Sequence, residues 1–77
     1  MADPSFNEVE ALYRAGLSLE ADGALELADE NYRRALKSLK PGDKENFMAL
    51  HYRLGRVAEA LGRNDEAEEH YSQVAAT

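Results

Sequence analysis

The chain has no cysteine, so neither a disulfide nor a thiolate metal site can hold it together. Basic residues are scarce: 9 Lys and Arg stand against 15 Asp and Glu, a formal net charge of −6. A duplex-binding surface needs a concentrated basic face, so nucleic acid is not an expected partner. The same balance favours solubility and disfavours an anionic membrane surface. No apolar run approaches the roughly 18 residues that a membrane span requires. Met1-Ala2-Asp3-Pro4 has neither a basic nor an apolar stretch, so no secretory signal is expected. Apolar and polar residues never alternate at period two, so no strand is expected. At 77 residues the chain makes one small domain at most, with thin net stability. The expected setting is the cytoplasm, as a soluble protein or as a domain of a larger one.

What the chain does have is a duplication. Tyr13-Arg14-Ala15-Gly16 returns 39 residues later as Tyr52-Arg53-Leu54-Gly55. Glu20, Gly23, Ala28, Glu30 and Tyr32 return as Glu59, Gly62, Ala67, Glu69 and Tyr71. Residues 11–38 align on 50–77 without a gap, with nine identities in 28 pairs. A repeat of this length points to a repeat architecture.

The periodicity reads as four helices. The first should open near Ser5, where Ser5-Phe6-Asn7-Glu8 has the form of a capping box. Phe6, Val9, Leu12, Ala15, Gly16 and Leu19 mark its inner face, and Asp22-Gly23 ends it. Leu25, Ala28, Tyr32, Ala35, Leu36 and Leu39 form the stripe of the second helix. Its charges, from Asp29 and Glu30 to Arg33, Arg34, Lys37 and Lys40, suit the helix dipole and read as a solvated outer face. Lys40-Pro41-Gly42-Asp43 stops and turns the chain, with Asp43 as the next cap. The third helix carries Phe47, Leu50, Leu54, Ala58 and Leu61. Gly62-Arg63-Asn64 turns again, with Asn64 as a cap. The fourth helix, about 65–76, should bury Ala67, Tyr71 and Val74. Short connections make neighbouring helices antiparallel, so the unit is a helical hairpin used twice.

A duplicated hairpin with these residues resembles the tetratricopeptide repeat family. The crossing glycine is matched by Gly16 and Gly55, and the turn glycine by Gly23 and Gly62. The small residue facing the first helix is Ala28 or Ala67, and the aromatic of the second helix is Tyr32 or Tyr71. The later alanine slot holds Ala35 but Val74. Other slots depart: Leu12 and His51, Ala15 and Leu54, and Leu19 and Ala58 replace the usual residue types. The 39-residue spacing exceeds the common value of about 34, which places extra residues near 38–46. The resemblance implies an all-α fold of two antiparallel hairpins stacked as a short right-handed superhelix, with repeats at about 9–42 and 48–77. A four-helix bundle would share most core positions.

Catalysis finds little support. His51 stands in a slot that the family fills with a packing aromatic. His70 lies one helical turn from Glu66, but the three or four converging ligands of a metal site are missing. No phosphate-binding glycine loop is present. The chain is expected to be a non-enzyme without metal or cofactor. The resemblance places a concave groove along the first helix of each hairpin. Glu10, Tyr13, Arg14, Leu17 and Glu20 would line it from the first copy. Ala49, Tyr52, Arg53, Arg56, Glu59 and Ala60 would line it from the second. Tyr13, Arg14, Leu17, Tyr52, Arg53 and Arg56 are the expected partner-binding set, because tyrosine and arginine are enriched in hot spots. An acidic peptide or a C-terminal carboxylate would suit the arginines. The bland alternative pairs Arg14 with nearby glutamates and packs Tyr13 on Tyr52. The carboxylate clamp of chaperone-binding members needs lysine and asparagine where Tyr13, Leu17 and Arg53 stand, so that ligand is not expected. Two repeats are fewer than the roughly three usually needed. A larger chain, a homodimer, or a self-sufficient bundle would each resolve this, and self-association or docking is the alternative function to groove binding.

Overall fold

The computed structural model describes residues 7–77, and these form four helices and no strand. They are α1 (Glu8–Ala21), α2 (Leu25–Lys37), α3 (Lys44–Ala60) and α4 (Asn64–Ala76). The chain is an all-α stack of two helical hairpins. Each helix packs on its neighbours in sequence, giving a slab of 41 × 30 × 14 Å.

Ser5 and Phe6 lie outside the described residues. The N-cap of α1 is Asn7, whose side-chain oxygen accepts from the Glu10 N–H at 3.1 Å. Asn caps as well as Ser does. Asp43 caps α3 as expected, accepting from the Asn46 N–H at 3.1 Å. The Asn46 side chain donates to it as well, and these bonds hold the Asp43 carboxyl below its usual range.

The two intra-hairpin turns are copies of each other. Gly23 N–H bonds Glu20 C=O and Ala24 N–H bonds Leu19 C=O; Gly62 to Glu59 and Arg63 to Ala58 repeat the pattern. This is the Schellman arrangement, which needs a left-handed residue just past the helix. Gly23 and Gly62 supply it at φ 80° and 78°. The turn runs straight into the next helix, so Ala24 and Arg63 take the N-cap position without a side-chain bond. Asn64 is therefore the first helical residue of α4 and not its cap.

The extra length falls in two places. Residues 38–43 link the hairpins, and α3 begins three residues earlier in register than α1. Leu39 lies in that link, past the end of α2, yet packs against the core.

Burial follows neighbours more than repeat position. α3 lies between α2 and α4 and buries Leu50, Leu54, Gly55, Val57 and Ala58. Among the described residues α1 packs chiefly on α2, and it buries Val9 and Gly16. Val57 is fully buried while its counterpart Ser18 is exposed. Tyr32 is fully buried, whereas Tyr71 and Val74 are only half-buried, because no described helix covers the far side of α4. Asp29 is also buried, against the expectation of an outer charge. It bonds Arg33 at 2.8 Å, and Arg33 reaches Glu66 of α4 at 3.6 Å.

A Cβ on Gly16 would come within 2.8 Å of three ring carbons of Tyr32, and one on Gly55 would meet Tyr71 in the same way. Such overpacking costs about 1–3 kcal/mol. Tyr32 is enclosed and Tyr71 can swing outward. Gly16→Ala should therefore lower the midpoint of thermal unfolding more than Gly55→Ala, by about 4–8 °C per kcal/mol lost. Circular dichroism melts check this. Equal stability of both variants and the parent would contradict it.

Candidate functional site

The face shared by α1 and α3 is organised by a tyrosine–glutamate bond that occurs once in each repeat. The Tyr32 hydroxyl donates to Glu20 Oε1 at 2.8 Å, and the Tyr71 hydroxyl donates to Glu59. Burial first, then Glu20, raises the Tyr32 pKa far above the ordinary phenol value. Burial, then Glu59, pushes Tyr71 up to about 12. The second oxygen of Glu20 lies 3.7 Å from Arg53 Nη1. Arg53 thus crosses from the second repeat onto the glutamate of the first. The Tyr13 hydroxyl beside the guanidinium, and after it the Glu20 charge, raises the Arg53 pKa, while the buried Arg53 Nε has no hydrogen-bond partner among the described residues.

The six expected partner-binding residues divide into two groups. Arg53 is committed to the contact between repeats and is only about one-third exposed. Leu17 packs against the core. Tyr13 is half-buried and tilts against Tyr32 at 5.8 Å, and Tyr52 tilts against Tyr71 at 6.2 Å. The tyrosines therefore each pack on the second-helix tyrosine of their own repeat and not on one another. Arg14, 76% exposed, pairs with Glu10 one turn earlier at 2.7 Å. Tyr52 is 44% exposed. Arg56 lies 5.9 Å over its ring, with Nη1 3.4 Å from its hydroxyl, and that hydroxyl raises the arginine's pKa. Tyr52 and Arg56 are thus a preformed, accessible aromatic–cation pair. An open, largely apolar depression of about 500 Å³ lined by Leu36, Leu39, Phe47 and His51 shares no residue with this face.

One feature of the second repeat escaped the periodicity. His51 and His70 meet through their Nδ1 atoms at 2.9 Å, and the Phe47 ring sits edge-on to His51 at 4.5 Å. Spacing along the chain carried no sign of this meeting, which depends on the register of α3 against α4. Among the described residues no group of three or more His, Cys, Asp or Glu could hold a metal ion. The contact requires one Nδ1 to carry a proton and the other to accept it. Burial lowers both pKa values, with further lowering from His70 and Arg33 at His51, and from Arg33 at His70. Asp29, Glu66 and Glu69 oppose this at His70. With folded values below the unfolded one, the unfolded chain binds more protons in acid. The stability from the neutral pair is full above about pH 6.5 and declines as pH falls below it. Repeat 1 has Leu12 and Asn31 in these positions. The double variant His51→Leu/His70→Asn should lose less stability than the parent between about pH 7 and 5.5 in urea unfolding. An identical loss in both chains would contradict the assignment.

Two family models, each described as tetratricopeptide repeat, match residues 10–38 and 49–76. These spans take in α2 and α4 whole, and α1 and α3 from residues 10 and 49 onward. No curated protein and no solved structure matches the chain. No helix among the described residues is long and apolar enough to cross a membrane. The two matches fall on the two hairpins whose Gly–Tyr crossings and Schellman turns are copies of each other, and the chain belongs to the tetratricopeptide repeat family, with two repeats.

Proposed function

We propose that the chain binds an acidic peptide segment, or a peptide's C-terminal carboxylate, along the face of α1 and α3. Tetratricopeptide repeats are in general protein–protein interaction modules, and the class of activity follows from membership. The observation that carries the finer reading is the Tyr52–Arg56 pair. Tyr52 is one of the few exposed large apolar side chains, and its position is set by Tyr71 and by Arg56. An ordered aromatic with a cation over it offers contact area and a carboxylate partner at small entropic cost. Tyr13, Leu17 and Arg14 continue the same face on α1. Arg53 contributes by holding the two helices in register through Glu20.

The chain's net charge of −6 repels acidic ligands at long range. Capture of one therefore demands a local cationic site. Fluorescence anisotropy with labelled acidic peptides, each with a free or an amidated C-terminus, tests this. Saturable binding is expected, and Tyr52→Ala and Arg56→Glu should each weaken it by about thirtyfold, the scale of a ~2 kcal/mol hot spot. Absence of binding, or binding unchanged in both variants, would contradict the proposal.

A further inference from the structure

The contact between the repeats is a template for a contact left unmade among the described residues on the outer flanks of α1 and α4. Inside the molecule, Glu20 accepts from Tyr32 of its own repeat with one oxygen and faces Arg53 of the next repeat with the other. The second repeat carries the same receptor: Glu59 accepts from Tyr71. Among the described residues no basic group forms an ion pair with Glu59. The first repeat carries the same donor: Arg14 is the counterpart of Arg53, 39 residues earlier. It is exposed on α1, against whose outer flank no described helix packs. Its partner is Glu10 of its own helix, in an exposed pair of a kind that holds weakly.

We propose that the α1 flank of one copy docks on the α4 flank of a second copy, with Arg14 taking on Glu59 of that copy the place that Arg53 takes on Glu20. The charge pairing selects the occupant. Both halves of the contact are present on every chain, and they are on opposite ends. The union is therefore head-to-tail and heterologous, and it leaves a free donor and a free receptor after each addition. The docking surfaces are slimmer than the internal ones. Ala11, Ala15 and Ser18 are exposed where α3 buries Leu50, Leu54 and Val57. The apolar area covered is correspondingly smaller, so the association is weaker than the contact within the chain and depends on its ion pair. It shares Arg14 with the proposed peptide face but involves neither Tyr52 nor Arg56, so variants at those two residues separate it from the peptide reading.

Sedimentation equilibrium over a series of concentrations tests it, with the full 77-residue chain. The parent should show a weight-average mass that rises with concentration and falls when salt is added. Arg14→Glu should be monomeric, and so should Glu59→Arg. An equimolar mixture of the two should regain the parent's concentration dependence, because every mixed contact pairs Glu with Arg. Arg14→Glu leaves the Tyr71–Glu59 bond untouched and removes only the exposed Glu10–Arg14 pair, a small loss even with the like-charge contact it creates, so the chain should stay folded. It tests the pairing even if Glu59→Arg fails to fold. Tyr52→Ala should associate as the parent does. A parent that stays monomeric throughout, an Arg14→Glu chain that associates normally, two folded variants that do not recombine, or association abolished by Tyr52→Ala would each overturn the proposal.

Discussion

The close approach of a tyrosine ring to a glycine is the constraint on which the molecule depends. A helix crossing that buries an aromatic ring against backbone requires a residue with no side chain beneath it. Gly16 and Gly55 meet that demand. Once the ring of Tyr32 is laid over Gly16, its hydroxyl must find a partner, because a buried phenol without one is costly. Glu20, one turn beyond the glycine on the same face, accepts it. The carboxylate then has a second oxygen to satisfy, and Arg53 of the next hairpin faces it. One steric requirement thus propagates into a hydrogen bond, and the hydrogen bond into an ion pair that joins the repeats.

That chain of consequence explains why the two copies share residues but not burial. Gly16, Glu20, Gly23, Ala28 and Tyr32, with their identical counterparts, close a hairpin, and a hairpin is closed the same way wherever it sits. Ser18 against Val57 and Ala15 against Leu54 differ because α3 has helices on both sides and α1 has one. Tyr71 repeats Tyr32 in chemistry yet remains half-buried, since the described chain ends with the helix that carries it. The exposed Tyr52–Arg56 pair runs the other way: Arg56 replaces Leu17, and a core contact in the first repeat becomes a cation over a ring in the second.

Much of the hairpin was legible in the sequence. Gly16, Gly23, Ala28 and Tyr32 and their counterparts are each set by the steric needs of one crossing or one turn, and such needs are local. The role of the glutamates was hidden for the opposite reason. Glu20 and Glu59 read as groove residues, and the structure adds to them bonds from the tyrosines on the following helices. Periodicity within one helix cannot reveal them. Arg53 was singled out for partner binding, and the structure gives it an inter-repeat contact that no single-helix pattern showed. Asn7 and Ser5 have near-equal capping propensity, so composition could not rank them. Val57 and the His51–His70 pair depended on which helix lies opposite, which the register alone decides.

If Glu20 is the node that transmits the Tyr32 crossing to the second repeat, removing either neighbour should alter the worth of the other. A double-mutant cycle of Tyr32→Phe and Arg53→Met, read by urea unfolding, measures this directly. The expected result is a coupling of about 0.5–3 kcal/mol between the two sites. Additive losses, equal within about 0.3–0.5 kcal/mol, would show that the crossing and the repeat contact are independent and would contradict the account.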